Sequence, residues 1–239
     1  MKFKIKKNIL LDALNNVSKA LSTKNIIPIL SGIKFDLTKE KLTLTASDND
    51  ITIQTTLLKD DNMEIDNTGS IVIKGKYILD IIRKLDDEWI NLEIVDDHKI
   101  LIYTENSEFN LNGIDSREYP AIDLNLSDNF IVLNVDKFKD LVNQTNYASS
   151  TDEARPVLTG VNMKVNSDVL ECSATDSYRL ALKKTTLDKG INGDADVIIP
   201  SKNLGELLKI IGTDDETMEI HIFSNKIIFK FNDLLFQYR

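Results

Sequence analysis

Cysteine, histidine and long apolar runs are all scarce in this 239-residue chain, and each scarcity closes off a class of function. The one cysteine, Cys172, has no partner for an internal disulfide. It falls at an apolar position of an alternating stretch, so it reads as a small buried hydrophobe. Only two histidines occur, His98 and His221. Neither has a cysteine or carboxylate at ligand spacing, which argues against a metal site, and neither suits a Ser/His/Asp arrangement. No stretch approaches the ~18 apolar residues of a membrane-spanning helix. The opening Met1-Lys-Phe-Lys-Ile-Lys-Lys7 leads into an apolar core too short for a signal peptide, so a cytoplasmic protein is expected. Gly69 and Gly75-Lys76 stand one residue too far apart for a phosphate loop, and no Ser or Thr follows the lysine. Asp48-Asn-Asp50 lacks the glycine and final glutamate of a calcium loop. No cofactor and no metal are expected, and the want of a catalytic set points to a binding or scaffolding protein.

What the chain does contain is itself, twice. Pro28-Ile-Leu-Ser-Gly32-Ile-Lys-Phe-Asp-Leu37 returns as Pro156-Val-Leu-Thr-Gly160-Val-Asn-Met-Lys-Val165, 128 residues later. The register holds without a gap: Leu42, Leu44 and Ala46-Ser47-Asp48 fall on Leu170, Cys172 and Ala174-Thr175-Asp176. Such a period is far too long for a solenoid and marks a duplicated domain. The expected domains are residues 1–125 and 126–239.

Each copy reads as α+β. Phe3 and Ile5 alternate with lysines as a short strand. Ile9, Leu10, Ala13, Leu14, Val17, Ala20 and Leu21 recur at helical spacing, predicting a helix over 8–21. Strands are expected near 29–37, 41–47 and 51–58, each alternating as a half-buried sheet does, followed by a loop over 60–69. A strand over 70–74, a helix bearing Tyr77, Ile78, Ile81, Ile82 and Leu85, and strands near 89–95, 99–104 and 107–112 complete the first copy. The second repeats the pattern: a strand from Phe130, a helix with Phe138, Leu141 and Val142 capped by Asp136, and a helix over 202–211 capped by Ser201. Strands over 179–184, 197–199, 217–223, 226–231 and 234–238 fill out that copy. The expected architecture is two helices on one side of one antiparallel sheet in each copy.

Net charge is −9, which argues against a uniformly basic nucleic-acid binder. The four helix windows 6–24, 74–85, 136–148 and 201–211 nevertheless hold twelve Lys/Arg against five acids. That surplus of +7 leaves −16 on the rest of the chain. With the helices on one side, that side is basic and the other acidic, which suits a duplex held by phosphate contacts indifferent to sequence.

The stretch Ala174-Thr-Asp-Ser-Tyr-Arg-Leu-Ala181 carries a large aromatic, an arginine and an aliphatic at a strand turn, the makings of a peptide-binding hot spot. The competing reading is an ordinary turn with a cation packed on a ring. At these residues the chain resembles a known family. Thr175-Asp-Ser-Tyr-Arg-Leu180, Arg155-Pro-Val-Leu-Thr-Gly160, Ile27-Pro-Ile-Leu-Ser-Gly32 and Glu108-Phe-Asn-Leu111 look like the bacterial DNA polymerase III β subunit, the sliding clamp. The resemblance runs the length of the chain and implies the DNA-clamp fold. It also implies three similar domains per subunit, and a homodimeric ring with helices lining the bore. This chain matches the first two domains, its end at Arg239 is read as the place where a third would begin, and the fragment alone is expected to be monomeric. The resemblance assigns the partner-peptide pocket to Leu158, Thr175, Asp176, Tyr178, Arg179 and Leu180, with Tyr178 where a histidine is frequent in the family. It assigns contacts with double-stranded DNA to Lys24, Lys76, Arg83, Lys202 and Lys209. The implied partners are DNA, the replicative polymerase α subunit, the clamp loader and other clamp-binding peptides, and the implied role is non-enzymatic. Two rivals stay open: a structural homo-oligomer, and an enzyme using acids such as Asp48 and Asp176 as a pair.

Overall fold

Alternation decides the first element of the computed structural model. Phe3 and Ile5 are buried, while Lys2, Lys4 and Lys6 turn to the other face and pair with Glu93, Glu64 and Glu88. The result is strand β1 (Lys2–Lys6), which runs unbroken into helix α1 (Lys7–Val17). The structure describes residues 1–22, 27–96, 98–212 and 216–239. They divide into two units, Met1–Asp123 and Leu124–Arg239.

The first unit continues with β2 (Gly32–Leu37), β3 (Lys41–Ser47), β4 (Ile51–Leu58), β5 (Met63–Asn67) and β6 (Gly69–Lys74). Helix α2 (Gly75–Lys84) and strands β7 (Trp89–Asp96), β8 (Lys99–Tyr103) and β9 (Glu108–Asn112) complete it. The strands form two antiparallel runs, β5-β1-β7-β8-β9 and β4-β3-β2-β6, where one sheet was expected. Both helices pack on the β4-β3-β2-β6 run. Helix α1 buries Leu10, Ala13, Leu14 and Val17 and packs on β3 and β4, while α2 packs on β2, β6 and α1.

The second unit runs β10 (Ile131–Asn134), α3 (Val135–Thr145), β11 (Gly160–Asn166), β12 (Val169–Thr175), β13 (Leu180–Thr186) and β14 (Asp194–Pro200). It ends with α4 (Ser201–Ile210), β15 (Thr217–Ile222), β16 (Ile227–Phe231) and β17 (Leu234–Tyr238). Its strand orders, β10-β15-β16-β17 and β13-β12-β11-β14, reproduce those of the first unit with β5 left out. Helix α3 packs on β12 and β13, and α4 on β11 and β14. Phe138 of α3 also meets Phe229 of β16 at 5.6 Å, and Phe229 meets Phe236 of β17 at 6.2 Å. These tilted rings lie at favourable aromatic geometry, and each fully buried Phe contributes ~1.5–3 kcal/mol of apolar burial.

Several local details differ from expectation for identifiable reasons. The strand expected from residue 29 is preceded by a 3-10 turn, Pro28–Ser31, repeated as Pro156–Thr159, because proline fixes the opening φ of a turn. Helix α1 stops at Val17, and the apolar period carries on through a 3-10 turn, Ser18–Ala20. The loop expected over 60–69 contains β5, which pairs with β1. The cap of α3 is Asn134, whose Oδ1 accepts from the amides of Asp136 and Lys137 at 2.9 and 3.2 Å. Asp136 instead sits in the first turn, where its charge suits the helix dipole. Ser201 is the first residue of α4 rather than its cap, and its hydroxyl turns back to Asn146. Cys172 and His221 are both buried. No helix among the described residues is long and apolar enough to cross a membrane.

Candidate functional site

The repeated block ends, in each unit, in a turn between two strands, and the two turns have the same internal construction. In the first, the Ser47 hydroxyl accepts from Asn49 N at 3.1 Å and donates to Ile51 O at 2.9 Å. Asp48 Oδ1 accepts from the amides of Asp50 and Ile51 at 3.1 and 2.8 Å. In the second, the Thr175 hydroxyl accepts from Ser177 N at 3.2 Å and donates to Arg179 O at 2.7 Å. Asp176 Oδ1 accepts from the amides of Tyr178 and Arg179, both at 3.0 Å. The third residue takes a left-handed conformation in both, Asn49 at φ 85° and Ser177 at φ 80°. Side chains that bond their own backbone are what hold such turns. Thr175 and Asp176 are therefore the frame of the turn, with counterparts in the first unit.

What the frame presents differs between the units. Ile51 and Thr52 of the first turn are buried, at 6% and 2% exposure. Their counterparts Arg179 and Leu180 stand out, Leu180 at 68%, and Tyr178 before them is 97% exposed. The Arg179 Nε donates to Asp176 Oδ2 at 2.9 Å. Its guanidinium carbon lies 5.6 Å from the centre of the Tyr147 ring. The N–H of Tyr178 is the main influence holding the Asp176 carboxyl below its ordinary pKa. Burial pushes the other way, and the amide and guanidinium of Arg179 add to the lowering.

Beside this turn lies an open groove of about 320 Å³. One side is Asp176, Tyr178 and Arg179, and the other is Leu158 with Arg155, Asp152, Thr151, Ser150 and Ser149. A hydrogen bond from Ser150 N to Leu158 O, 2.8 Å, closes that second side into a strap. Arg155 spans the groove to the first, donating from Nη1 to Ser177 Oγ at 3.2 Å. So Leu158, Asp176, Tyr178 and Arg179 come together in one place. Thr175 and Leu180 do not line the groove: Thr175 braces the turn, and Leu180 follows Arg179 at the start of β13. Tyr147, Ser149, Ser150 and Thr151 were not legible as site residues, since they belong to a polar connection after α3 that carries no period. One aliphatic, Leu158, flanking guanidinium donors and the exposed Tyr178 ring are suited to contact with an extended peptide.

Four of the five residues expected to contact DNA sit on helices. Lys76 and Arg83 are exposed on α2, and Lys202 and Lys209 on α4. In both helices the pair is seven residues apart, two turns along one face, which sets them about 10.5 Å apart along the axis. Arg83 donates to Asn15 Oδ1 of α1 at 3.3 Å, and Lys209 pairs with Glu206 at 2.9 Å. Lys76 and Lys202 make no ion pair among the described residues. Lys24 lies outside the described residues.

Comparison with known proteins covers both units. Residues 1–123 match the family model described as DNA polymerase III beta subunit, N-terminal domain, and residues 132–239 match the central domain of the same subunit. A curated relative from Staphylococcus aureus, named beta sliding clamp, is 40% identical over 240 residues, covering 99% of this chain and 63% of its own length. The crystal structure of the DNA polymerase sliding clamp from Bacillus subtilis superposes with a TM-score of 0.95 at 38% identity, covering 100% of this chain and 64% of that one. The DNA polymerase III beta chain from Streptococcus pneumoniae gives 0.94 at 36% identity with the same coverage. The chain thus spans a little under two thirds of the length of these relatives.

Proposed function

The chain belongs to the DNA polymerase III beta subunit family, and from that premise we propose that it acts in a sliding clamp, the non-catalytic processivity factor of a replicative polymerase in the cytoplasm. In this reading the full-length protein closes as a homodimeric ring around duplex DNA. The exposed cations of α2 and α4 then make weak phosphate contacts that are blind to sequence. The groove beside Arg179 docks peptides of the polymerase α subunit, the clamp loader and other clamp-binding proteins. Lys24 is assigned to the DNA contacts by the same premise.

One observation carries the reading: a turn built identically in both units exposes Arg179 and Leu180 in the second, where the first buries the corresponding Ile51 and Thr52, and it places Tyr178 where the first has Asp50. The frame alone explains Thr175 and Asp176. An aromatic, a cation and an aliphatic held out to solvent beside a groove suit a partner's surface, which supports docking over an ordinary turn. The test is the affinity of this chain for a peptide from the C-terminal tail of the polymerase α subunit. Arg179→Ala and Leu180→Ala should each weaken it by about tenfold, the scale of an interface hot spot. Unchanged affinity in both variants removes the assignment.

A further inference from the structure

Arg179 is held from two directions, and only one of them belongs to its own turn. Asp176 takes Nε at 2.9 Å. The Tyr147 ring, from the 3-10 turn Asn146–Ala148 after α3, lies 5.6 Å from the guanidinium carbon. Neither terminal nitrogen of Arg179 has a protein partner among the described residues, so both remain free to donate. Tyr147 is itself 61% exposed, and it does not line the groove. Its backbone, by contrast, is fixed. Asn146 O accepts from the Ser149 hydroxyl at 2.7 Å, and the Ser201 hydroxyl bonds Asn146 Oδ1. The two hydroxyls meet at 2.5 Å. Thr145 Oγ1 donates to Leu141 O at 2.7 Å, tying the preceding residue to the helix. An exposed ring on a hydrogen-bonded turn, within cation–π distance of a long flexible cation, narrows the orientations that cation takes.

We propose that Tyr147 is a positioning residue for the peptide groove, holding the Arg179 guanidinium so that its two terminal nitrogens face an incoming peptide. This rests on the groove being a peptide site. A flexible arginine loses rotamer freedom on binding, and a side chain restrained beforehand loses less. An exposed cation–π contact is of the size to change affinity by about two- to fivefold. Tyr147 acts through Arg179 and touches no peptide, which gives the inference a signature of its own. The tyrosine hydroxyl has no part in it, so phenylalanine should serve equally.

Two measurements on the intact 239-residue chain decide it. The first needs no peptide: the Arg179 Hε resonance should be displaced by the Tyr147 ring current, return towards an ordinary arginine position in Tyr147→Ala, and be unchanged in Tyr147→Phe. The second is a double-mutant cycle read by titration of the polymerase α tail peptide. Tyr147→Ala should weaken binding about two- to fivefold in the parent chain and have no effect in the Arg179→Ala background, since coupled residues are non-additive. Tyr147→Phe should restore parental affinity. An Arg179 resonance indifferent to Tyr147→Ala, or an equal loss of affinity in both backgrounds, overturns the inference. A parent chain that binds no peptide overturns the functional reading instead, while the first measurement still judges the contact.

Discussion

Gly160 opens β11 directly after the turn that carries Leu158, and replacing it with alanine tests how tightly that turn is seated. A Cβ at this position would stand 2.6 Å from Ile199 O, 2.8 Å from Ile198 Cγ2 and 3.0 Å from Ile199 C. Ordinary contact begins at 3.4 Å, and two of the three atoms are backbone of the neighbouring strand β14. The two strands are paired residue by residue from Gly160↔Pro200 onwards, so the clash cannot be relieved by one side chain turning away. Overpacking of this kind costs about 1–3 kcal/mol. The loss of glycine's freedom in the unfolded chain offsets about 0.4–1 kcal/mol of that, leaving a net destabilisation of about 1–2 kcal/mol. Gly205 is the internal control. It sits inside α4, with no atom within 4 Å of its built Cβ, so Gly205→Ala should stabilise by about 0.5–1 kcal/mol. Urea unfolding followed by far-ultraviolet circular dichroism reads both signs. A Gly160→Ala midpoint equal to or above the parent would refute the reasoning, because the close approach of β14 would then be unnecessary.

Three further outcomes are expected. Burial pushes the Cys172 thiol up to about 12. It should resist iodoacetamide in the folded chain and react in urea. Because its folded value is raised, its contribution to stability is complete below the ordinary 9.0 and falls away as the pH climbs towards 12. Asp176 has the opposite sign: its depressed value means the turn keeps its carboxylate bonds above the ordinary 3.8 and loses them as the pH falls through the folded value. The amide resonances of Tyr178 and Arg179 should therefore hold steady to pH 4 and shift only below it, and Asp176→Asn should abolish that step. Finally, duplex binding by this chain should be weak, insensitive to base sequence and steeply salt-dependent. Each of Lys76→Ala and Lys202→Ala should reduce the log–log salt slope by about 0.9 if it removes one phosphate contact, and an unchanged slope in both removes these lysines from the interface.

The sequence was most informative where a physical requirement recurred. The 128-residue offset appears because Pro28 and Pro156 open the same 3-10 turn, and because Gly32 and Gly160 stand where a neighbouring strand leaves no room for a side chain. The α+β class was legible from the alternation of β3 and β12 and the helical stripes of α1 and α3. Long-range pairing was not. Strand β5 has only Met63 buried, and its partner β1 lies some sixty residues away, so its polar composition imitated a loop. The caps went astray for a related reason: β10 leads straight into α3, so the last strand residue, Asn134, does the capping in place of the acid within the first turn. Tyr147 had no sequence signal at all, because its meaning depends on Arg179, which reaches it across the fold. Tyr178 and Arg179 were conspicuous, because a tyrosine and an arginine in a tight turn need a reason to be there.

The central claim is that one of two identically framed turns has been turned into a docking site. Amide-resolved mapping of the polymerase α tail peptide on this chain tests it most directly. The account predicts perturbations at Leu158 and over residues 176–180, with the corresponding residues 48–52 undisturbed. Perturbation of both turns alike, or of 48–52 alone, would contradict it.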